Sequence, residues 1–328
     1  MNVLVYGAGA IGQFLGAKLA LAGAHIHLIA RAPVVTAIAA HGLRVTDLGA
    51  RECIAPGITA SETLIAAKPD LVLLTVKGAA TAAAARDLVA HLPAGTPVLS
   101  FQNGVEAVGR LHAAAPNLVA LAGMVSYNVV QTEPGRVRRA TQGWAMAQRA
   151  AITERLLVIA MRSSLRLQLR DDMPAVQWGK LLLNLNNPVN ALSGLPLRQQ
   201  LLDPGYRDLL ADLQVEALRA LHSAGIRPAR VSPLPAAWLP TILRLPTAVF
   251  RVVAAGLLRI APEARSSMLD DRLAGRITEV DDLCGAVIRV ALRSGAAAPL
   301  NAALCGLMNR LATDQYLTSE QLRAALRR

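Results

Sequence analysis

Short apolar runs alternate with helical stretches through the N-terminal half of the chain. Residues 70–76 and 97–101 are continuous apolar runs, which are typical of parallel strands buried on both faces. Two shorter β-rich runs, at residues 2–6 and 25–29, flank a helical stretch at residues 14–20. This succession of strand, helix and strand predicts an α/β sheet in this half of the chain.

The later part of the same half adds further strands to the prediction. Residues 124–130 and 136–141 are predicted as two strands joined by a turn at Pro134 and Gly135. Residues 151–167 are predicted as one more helix followed by one more strand.

The pattern changes at Met173, after which only helices are predicted. Pro188 should kink or end the first of them, because proline cannot donate the backbone hydrogen bond that a helix needs. Thr278 and Asp281 have the spacing of an N-cap and the acidic third residue of a later helix. Pro299 is expected to open the last helix but one.

This change of pattern divides the chain into two predicted domains. A length of 328 residues is sufficient for about two domains. We therefore predict an α/β, Rossmann-like dinucleotide-binding domain over residues 1–172, followed by an all-α domain over residues 173–328. Hydrophobic residues make up 53% of the chain and charged residues 17%, which excludes a disordered protein.

The charge of the chain limits its possible partners. A net charge of +12 is compatible with nucleic acid, an anionic membrane or an anionic small ligand. The arginines are spread along the whole length and aromatic residues make up only 3%, so we do not expect nucleic-acid binding. Since arginine supplies most of the positive charge, a lysine within a motif points to use of its titratable ammonium. The four lysines are Lys18, Lys68, Lys77 and Lys180.

Several kinds of site and location are not expected. The most apolar stretch, residues 242–260, is interrupted by arginines and a proline, which favours core helices over a membrane helix. No signal peptide is recognised, and the expected location is the cytoplasm. The cysteines and histidines show no metal-ligand spacing, so we predict no metal site and expect reduced thiols. The cysteines are Cys53, Cys284 and Cys305.

A glycine-rich turn follows the first predicted strand and opens the first predicted helix. In this context the first glycine makes a tight turn, the second lets a pyrophosphate approach the backbone, and the third lets helix pack on strand. The helix N-terminus then supplies amide donors to the phosphates. We therefore predict a dinucleotide site at the six residues Gly7, Ala8, Gly9, Ala10, Ile11 and Gly12.

The end of the second strand indicates which dinucleotide binds. An NAD site has Asp or Glu there to accept the ribose hydroxyls, whereas this chain has Arg31. A guanidinium suits a 2′-phosphate, so we predict NADPH rather than NADH. The alternative is that Arg31 is a solvated loop residue.

Lys77 and Asn103 follow the next two predicted strands. Ligands of open α/β sheets bind beyond the carboxyl ends of the strands, so both side chains are predicted to contact the ligand. The alternatives are an exposed loop lysine and an ordinary Asn-Gly turn.

Polar residues on the first predicted helix of the C-terminal half point to a second part of the site. Lys180 and Asn184 are four residues apart and share a helix face, and Asn187 is close to the same line. A solvated helix face is the alternative. Glu279 lies near the start of a later helix, a place that also favours a carboxylate on dipole grounds alone.

Taken together, these motifs resemble the ketopantoate reductase (2-dehydropantoate 2-reductase) family. The resemblance covers nearly the whole chain, through five blocks in the family's order, and it implies an NADPH-binding Rossmann domain, an all-helical domain and an active site in the cleft between them. The blocks are residues 7–12, 75–77, 101–104, 180–187 and 265–279.

The resemblance also implies roles for individual residues. Lys180 resembles the general acid, and Asn103 the residue that contacts both nicotinamide and substrate. Glu279 resembles the acidic residue at the ribose end of the cofactor, and Lys77 a cofactor-side lysine. The substrate-binding positions are matched by Asn184, Asn187 and Ser267, with Ser267 at the substrate carboxylate.

Two departures from the family pattern concern the substrate. Pro188 stands where the second helix asparagine is expected, so that Asn187 comes one residue early, and Leu197 stands where some members have a polar residue. The implied reaction is NADPH-dependent reduction of ketopantoate to pantoate, a step of pantothenate and coenzyme A biosynthesis. The alternatives are reduction of a different branched 2-oxo acid, and a non-catalytic NADPH-sensing regulator. A homodimer is possible on this interpretation.

Overall fold

The chain forms two compact units, one from Met1 to Met173 and one from Pro174 onward. The residues that the computed structural model describes are 1–256, 258 and 261–327. The first unit contains sheets and helices, and the described part of the second unit contains helices without strands. The fold class predicted from the sequence, a Rossmann-like α/β domain followed by an all-α domain, is confirmed.

An eight-stranded sheet forms the centre of the first unit, in the spatial order β12-β11-β8-β7-β6-β1-β2-β5. The strands from β8 to β5 in this order run parallel, and β11 pairs antiparallel with β8. The strands of the unit are β1 (Asn2–Tyr6), β2 (His25–Ile29), β3 (Leu43–Thr46), β4 (Cys53–Ala55), β5 (Ile58–Ser61), β6 (Leu71–Leu74), β7 (Pro97–Ser100), β8 (Val119–Val125), β9 (Val129–Glu133), β10 (Arg136–Arg139), β11 (Ala145–Gln148) and β12 (Leu167–Arg170).

Both faces of this sheet are covered by apolar layers. In β1, Val3 and Val5 belong to a core on one face with Phe14, whereas Leu4 belongs to a core on the other face with Leu88. Burial on both faces explains why the central strands are apolar without interruption. The covering helices are α1 (Ala10–Leu21), α2 (Ala32–His41), α3 (Thr81–His91), α4 (Ala107–Ala114) and α5 (Ala151–Ala160).

A second, four-stranded sheet has the order β4-β3-β10-β9 and is tied to α1 by a buried ionic cluster. The Nζ of Lys18 lies 3.1 Å from an oxygen of Asp47, and Arg139 contacts the same carboxylate at 3.3 Å. The hydroxyl of Ser164 also donates to Asp47. Desolvation raises the pKa of the Asp47 carboxyl, but hydrogen bonds from Ser164, the Leu48 amide and Lys18, together with the Lys18 charge, lower it below its ordinary value. Lys18 therefore has a structural partner within this unit.

One strand prediction in this region is wrong. Residues 124–130, predicted as one strand, contain the end of β8 and the start of β9, which belong to different sheets. Ser126, Tyr127 and Asn128 separate the two strands, but no glycine or proline marks the break, so the pattern does not show where the chain changes sheet. The predicted turn at Pro134 and Gly135 does join β9 to β10.

The second unit is a set of packed helices around α9. That helix packs against α10, α13, α14 and α15. The helices are α6 (Met173–Asn184), α7 (Asn186–Ser193), α8 (Leu197–Leu202), α9 (Pro204–Ser223), α10 (Leu239–Leu243), α11 (Thr247–Val253), α12 (Ser267–Leu273), α13 (Val280–Arg293), α14 (Pro299–Arg310) and α15 (Ser319–Leu326).

Buried charged side chains in this unit are satisfied by helix ends. Arg207 is 1% exposed and donates to carbonyl groups at the ends of α8 and α10, including that of Leu243 at 2.9 Å. The Glu216 carboxylate accepts the backbone amides of Leu300 and Asn301, both at 2.8 Å, at the start of α14. Charges placed in this way satisfy backbone groups that a helix leaves unpaired at its ends.

The predicted effect of Pro188 is confirmed, with a difference in position. The helix breaks at Leu185, three residues before the proline, and Pro188 lies in the first turn of α7. Proline is tolerated there because the amides of the first turn have no intrahelical acceptor. Lys180 and Asn184 therefore share α6, whereas Asn187 lies in α7.

The predicted start of α13 is also wrong by one residue. Thr278 is not the N-cap, because the helix begins at Val280 and Glu279 occupies the N-cap position without a capping side-chain bond. Asp281 lies in the first turn, so the acidic start was correctly predicted.

The apolar stretch at residues 242–260 contains short helices in its described part, including α11. None of the described helices is both long and apolar enough to cross a membrane. Residues 257, 259 and 260 of this stretch lie outside the described residues.

Candidate active site

The glycine-rich turn has the backbone geometry that a dinucleotide site requires. Gly7 has φ of +102°, and a Cβ there would lie 2.6 Å from Cγ1 of Val76. A Cβ at Gly12 would lie 2.5 Å from Oγ1 of Thr75 and 2.6 Å from the Gly7 carbonyl oxygen. A side chain at either position would therefore force the turn apart.

Gly9 is different, because a Cβ there would meet no atom within 4 Å. The packing of the protein does not require glycine at this position, so the open space is available to a ligand that approaches the backbone. Gly9 is also the N-cap residue of α1, whose first turn contains no acidic residue. The start of α1 can thus offer backbone donors to an anion. These residues fit a dinucleotide pyrophosphate.

Hydrogen bonds with the surrounding segments hold the backbone of the turn in place. The Thr75 hydroxyl donates to the Gly7 carbonyl at 2.6 Å, and the amides of Gly7 and Ala8 donate to the Ile29 carbonyl at 3.2 and 3.0 Å. The buried Gln13 amide nitrogen donates to the Ala8 carbonyl at 2.8 Å. The backbone of the turn is therefore fixed before any ligand binds.

The sheet order brings the predicted cofactor residues to one edge. Strands β7, β6, β1 and β2 are neighbours and run parallel, so their carboxyl ends lie at the same edge. These four strands are followed, in that spatial order, by Asn103, Lys77, the glycine turn and Arg31. An extended ligand along this edge would pass all four positions, as the rule for open α/β sheets requires.

Arg31 lies at the end of this row. Its side chain is exposed, and it is the N-cap residue of α2, whose first turn has no acidic residue. A guanidinium and the backbone amides of a helix N-terminus can together bind a phosphate.

At the other end of the row, Asn103 is half-buried and precedes Gly104, which has φ of +85°. Lys77 is exposed and begins a short 3₁₀ turn at Gly78–Ala80. Gln102, 5% exposed, was not assigned a role from the sequence. Its side-chain amide donates to Thr81 Oγ1 at 2.7 Å and its oxygen accepts from the Ser100 hydroxyl at 3.0 Å. Gln102 therefore ties the Asn103 loop to the start of α3.

In the second unit, the pKa of Lys180 is lowered from its ordinary value. The side chain is half-buried on α6. Burial lowers the pKa of its ammonium from 10.5 to about 8, while the Glu279 carboxylate acts in the opposite direction. The structure thus brings Lys180 and Glu279 into electrostatic contact, although they are far apart in the sequence. An ammonium with a pKa near neutrality is suited to give and take a proton.

The predicted substrate residues lie on neighbouring helices of the same unit. Asn184 ends α6, Asn187 is the second residue of α7, and the two helices are separated by Leu185 alone. Ser266 caps α12 by accepting the Leu269 amide at 3.2 Å, and its hydroxyl donates to the Asn187 carbonyl at 3.4 Å.

Ser267 is therefore the first residue of α12, and its side chain is exposed. The structure brings it next to the start of α7. A hydroxyl at a helix N-terminus is suited to bind a carboxylate.

The predicted site residues form two groups, one on each unit. The residues expected to hold the cofactor lie along the sheet edge of the first unit, except for Glu279, which is in the second unit. Those expected to bind and protonate the substrate lie on α6, α7, α12 and the start of α13 in the second. Among the described residues, no group of three or more His, Cys, Asp or Glu side chains could hold a metal ion.

Comparison with known proteins identifies the family. The model of the ketopantoate reductase PanE/ApbA matches residues 3–150, and the model of its C-terminal domain matches residues 172–312. The chain belongs to the ketopantoate reductase family. This confirms the resemblance seen in the sequence, and it makes the protein an oxidoreductase that acts on CH–OH groups. Ketopantoate reductases use NADPH, in agreement with the cofactor predicted from the sequence.

Individual ketopantoate reductases resemble the chain over their full length. A 2-dehydropantoate 2-reductase of Mesorhizobium japonicum is 30% identical, with 96% of this chain and 99% of the relative covered. The crystal structure of a PanE/ApbA family ketopantoate reductase from Ralstonia eutropha has a TM-score of 0.80 at 27% identity, covering 94% of this chain and 97% of that one. A D-mandelate dehydrogenase solved with NADH shares the fold, with a TM-score of 0.77 at 19% identity over 100% and 99% of the two chains.

Proposed function

We propose that the protein reduces ketopantoate to pantoate with NADPH, with Lys180 as the proton donor, in the biosynthesis of pantothenate and coenzyme A. The observation that carries this proposal is the half-buried Lys180, whose pKa is about 8 and whose charge is coupled to Glu279. The substrate is inferred from relatives named 2-dehydropantoate 2-reductase that match along the whole chain.

The N-terminal unit has the task of holding the cofactor. The glycine turn and the start of α1 would bind the pyrophosphate, and Arg31 the 2′-phosphate. Lys77 would contact the cofactor beside them, and Asn103 the nicotinamide and the substrate. When bound, NADPH supplies a hydride to the C2 carbonyl carbon. The open space at Gly9 and the absence of acidic residues from the first turns of α1 and α2 support this assignment.

The C-terminal unit has the task of binding and protonating the substrate. Ser267, Asn184 and Asn187 would bind the 2-oxo acid, with Ser267 at its carboxylate. As negative charge develops on the carbonyl oxygen, the Lys180 ammonium stabilises it and donates a proton. Glu279 keeps Lys180 protonated at neutral pH, because its carboxylate raises the lysine pKa against the effect of burial. It is also the residue proposed to meet the cofactor ribose.

A second candidate function is reduction of a different branched 2-oxo acid. Leu197 favours it, because this half-buried apolar residue lies next to the segment that leads into α12, where its amide donates to the Ala264 carbonyl at 2.8 Å. An apolar side chain there would favour a substrate whose branch lacks a hydroxyl group.

Turnover by the purified protein tests both candidates. NADPH oxidation is followed with ketopantoate and with a series of branched 2-oxo acids, and kcat/KM is compared. The first candidate predicts the highest kcat/KM for ketopantoate. A higher value for another 2-oxo acid would replace it with the second. Binding of NADPH without turnover of any 2-oxo acid would contradict both and favour an NADPH-sensing regulator.

A further inference from the structure

A buried asparagine on α7 connects three segments of the C-terminal unit. Asn190 is 0% exposed and lies among the buried apolar residues Val189, Ala191 and Leu192. A polar group in such a position is stable only when its hydrogen bonds are made. The identity of its partners therefore shows what this asparagine organises.

Both ends of the Asn190 amide are bonded to backbone. Its Oδ1 accepts the Ser266 amide at 3.0 Å, 76 positions away in the chain, and its Nδ2 donates to the Leu195 carbonyl at 2.8 Å. One side chain thus holds the loop between α7 and α8 and the residue that caps α12. A second tie joins the same two segments, from the Leu197 amide to the Ala264 carbonyl at 2.8 Å.

Ser266 transmits this restraint to the proposed substrate residues. Its amide is held by Asn190, its hydroxyl oxygen caps α12, and the same hydroxyl donates to the carbonyl of Asn187. The position of Ser267, the next residue, is set by that cap. Leu195 lies two residues before Leu197 on the loop that Asn190 also binds. Asn190 contacts the backbone of these segments, so its action on a substrate would be indirect.

We propose that Asn190 is a positioning residue for 2-oxo acid binding, which fixes Ser267 and the loop that leads to Leu197 relative to α7. This inference rests on the proposed function, since it assigns Ser267 to the substrate carboxylate. It makes Asn190 a determinant of the substrate KM, with little influence on cofactor binding by the other unit.

Substitutions at Asn190 separate positioning from ordinary core stability. Asn190→Leu replaces the amide with an apolar side chain of similar size and removes both hydrogen bonds. Asn190→Asp keeps an oxygen that can accept the Ser266 amide. The matched control is Asn301→Leu, because Asn301 is also 0% exposed and its side chain is bonded to Leu213 and Glu216 on α9.

The steady-state constants give the expected result. Asn190→Leu should raise the KM for the 2-oxo acid roughly 10- to 100-fold, the effect of losing a buried hydrogen-bond partner, and leave the KM for NADPH within about twofold. Asn190→Asp should return the substrate KM only part of the way to the wild-type value, because it can accept the Ser266 amide but cannot donate to the Leu195 carbonyl. Asn301→Leu should lower Tm as Asn190→Leu does, without a selective rise in the substrate KM.

The measurements distinguish failure of this inference from failure of the proposed function. If the substrate KM of Asn190→Leu matches that of Asn301→Leu, Asn190 is only a core residue and the inference is wrong. Should Asn190→Leu not fold, Asn190→Ser, which is too short to reach the Ser266 amide, takes its place and must show the same selective rise. If the wild-type protein turns over no 2-oxo acid, the proposed function fails first, which the wild-type assay shows before any variant is compared.

Discussion

The two units build their proposed ligand sites in different ways. In the first unit the site is made mainly of backbone: a glycine turn, a helix N-terminus and the loops at four strand ends. In the second it is made of side chains on separate helices, held by buried polar contacts such as those of Asn190 and by the electrostatic coupling of Lys180 to Glu279. A site made of backbone depends on small residues such as glycine at a few positions. A site made of side chains depends on the residues that pack around those side chains.

This difference affects how each site tolerates substitution. At Gly12 the protein itself leaves no room for a Cβ, while at Gly9 it leaves open space. In the second unit, α12 begins where it does because Ser266 is held by a residue far away in the chain. Four predictions test the contrast, in decreasing order of expected effect.

The largest effect is expected at Lys180. Lys180→Ala should lower kcat by about 10²- to 10⁴-fold, the usual contribution of a general acid. The KM for NADPH should change little, because the residues proposed to bind its phosphates and nicotinamide lie on the other unit. Steady-state kinetics measures both constants, with Lys68→Ala, an exposed lysine, as the control. A variant that retains near-wild-type kcat would remove Lys180 from the chemistry.

Next come the two glycines of the turn. Gly9→Ala should keep the wild-type Tm, because its Cβ meets no protein atom, yet raise the KM for NADPH roughly tenfold or more by blocking approach of the pyrophosphate. Gly12→Ala should lower stability by about 1 to 3 kcal/mol, since its Cβ would overlap Thr75 and Gly7. Thermal unfolding and NADPH titration measure these effects. A normal NADPH KM in Gly9→Ala would contradict the assignment of the turn.

A smaller and more selective effect is expected at Arg31. Arg31→Met should raise the KM for NADPH roughly 10-fold, as expected for the loss of a charged hydrogen bond, and leave the KM for NADH unchanged. Comparison of the two cofactors in the same assay isolates the 2′-phosphate. An equal change for both would show that Arg31 does not recognise that group.

The smallest effect is a shift in pH dependence. Because the pKa of Lys180 is about 8, kcat for reduction should fall as the pH rises through about 8 and the ammonium loses its proton. Glu279 raises that pKa, so Glu279→Gln should lower it and move the fall to lower pH. The pH–rate profile measures the shift, and Glu263→Gln, at an exposed position, serves as control. A shift to higher pH would contradict the electrostatic role of Glu279.

The sequence was informative where local structure decides the outcome. Strands at β1, β2, β6 and β7, and the break near Pro188, follow from apolar runs, glycines and prolines that act on their immediate neighbours. The strand predicted at residues 124–130 failed because two strands from different sheets are adjacent there. The cap predicted at Thr278 failed because the helix begins one residue later, at Val280.

The candidate site shows the same division. The glycine turn, Arg31, Lys77 and Asn103 could be placed at one sheet edge from their positions after parallel strands. Gln102 and Asn190 were missed, because each acts through partners that the sequence does not place beside it. In the sequence, the one signal for Asn190 was an amide side chain between apolar residues of a predicted helix.

By itself the sequence predicted the two-part fold, the glycine-rich turn and the role proposed for Lys180 in a chain whose positive charge comes mostly from arginine. These features follow from steric limits and charge types that are carried by the residues themselves. Only the tertiary structure decided the pKa of Lys180, its coupling to Glu279 and the pinning of α12 by Asn190. Burial, electrostatic coupling and hydrogen-bond partners arise between residues distant in the chain, so they exist only once the helices are packed.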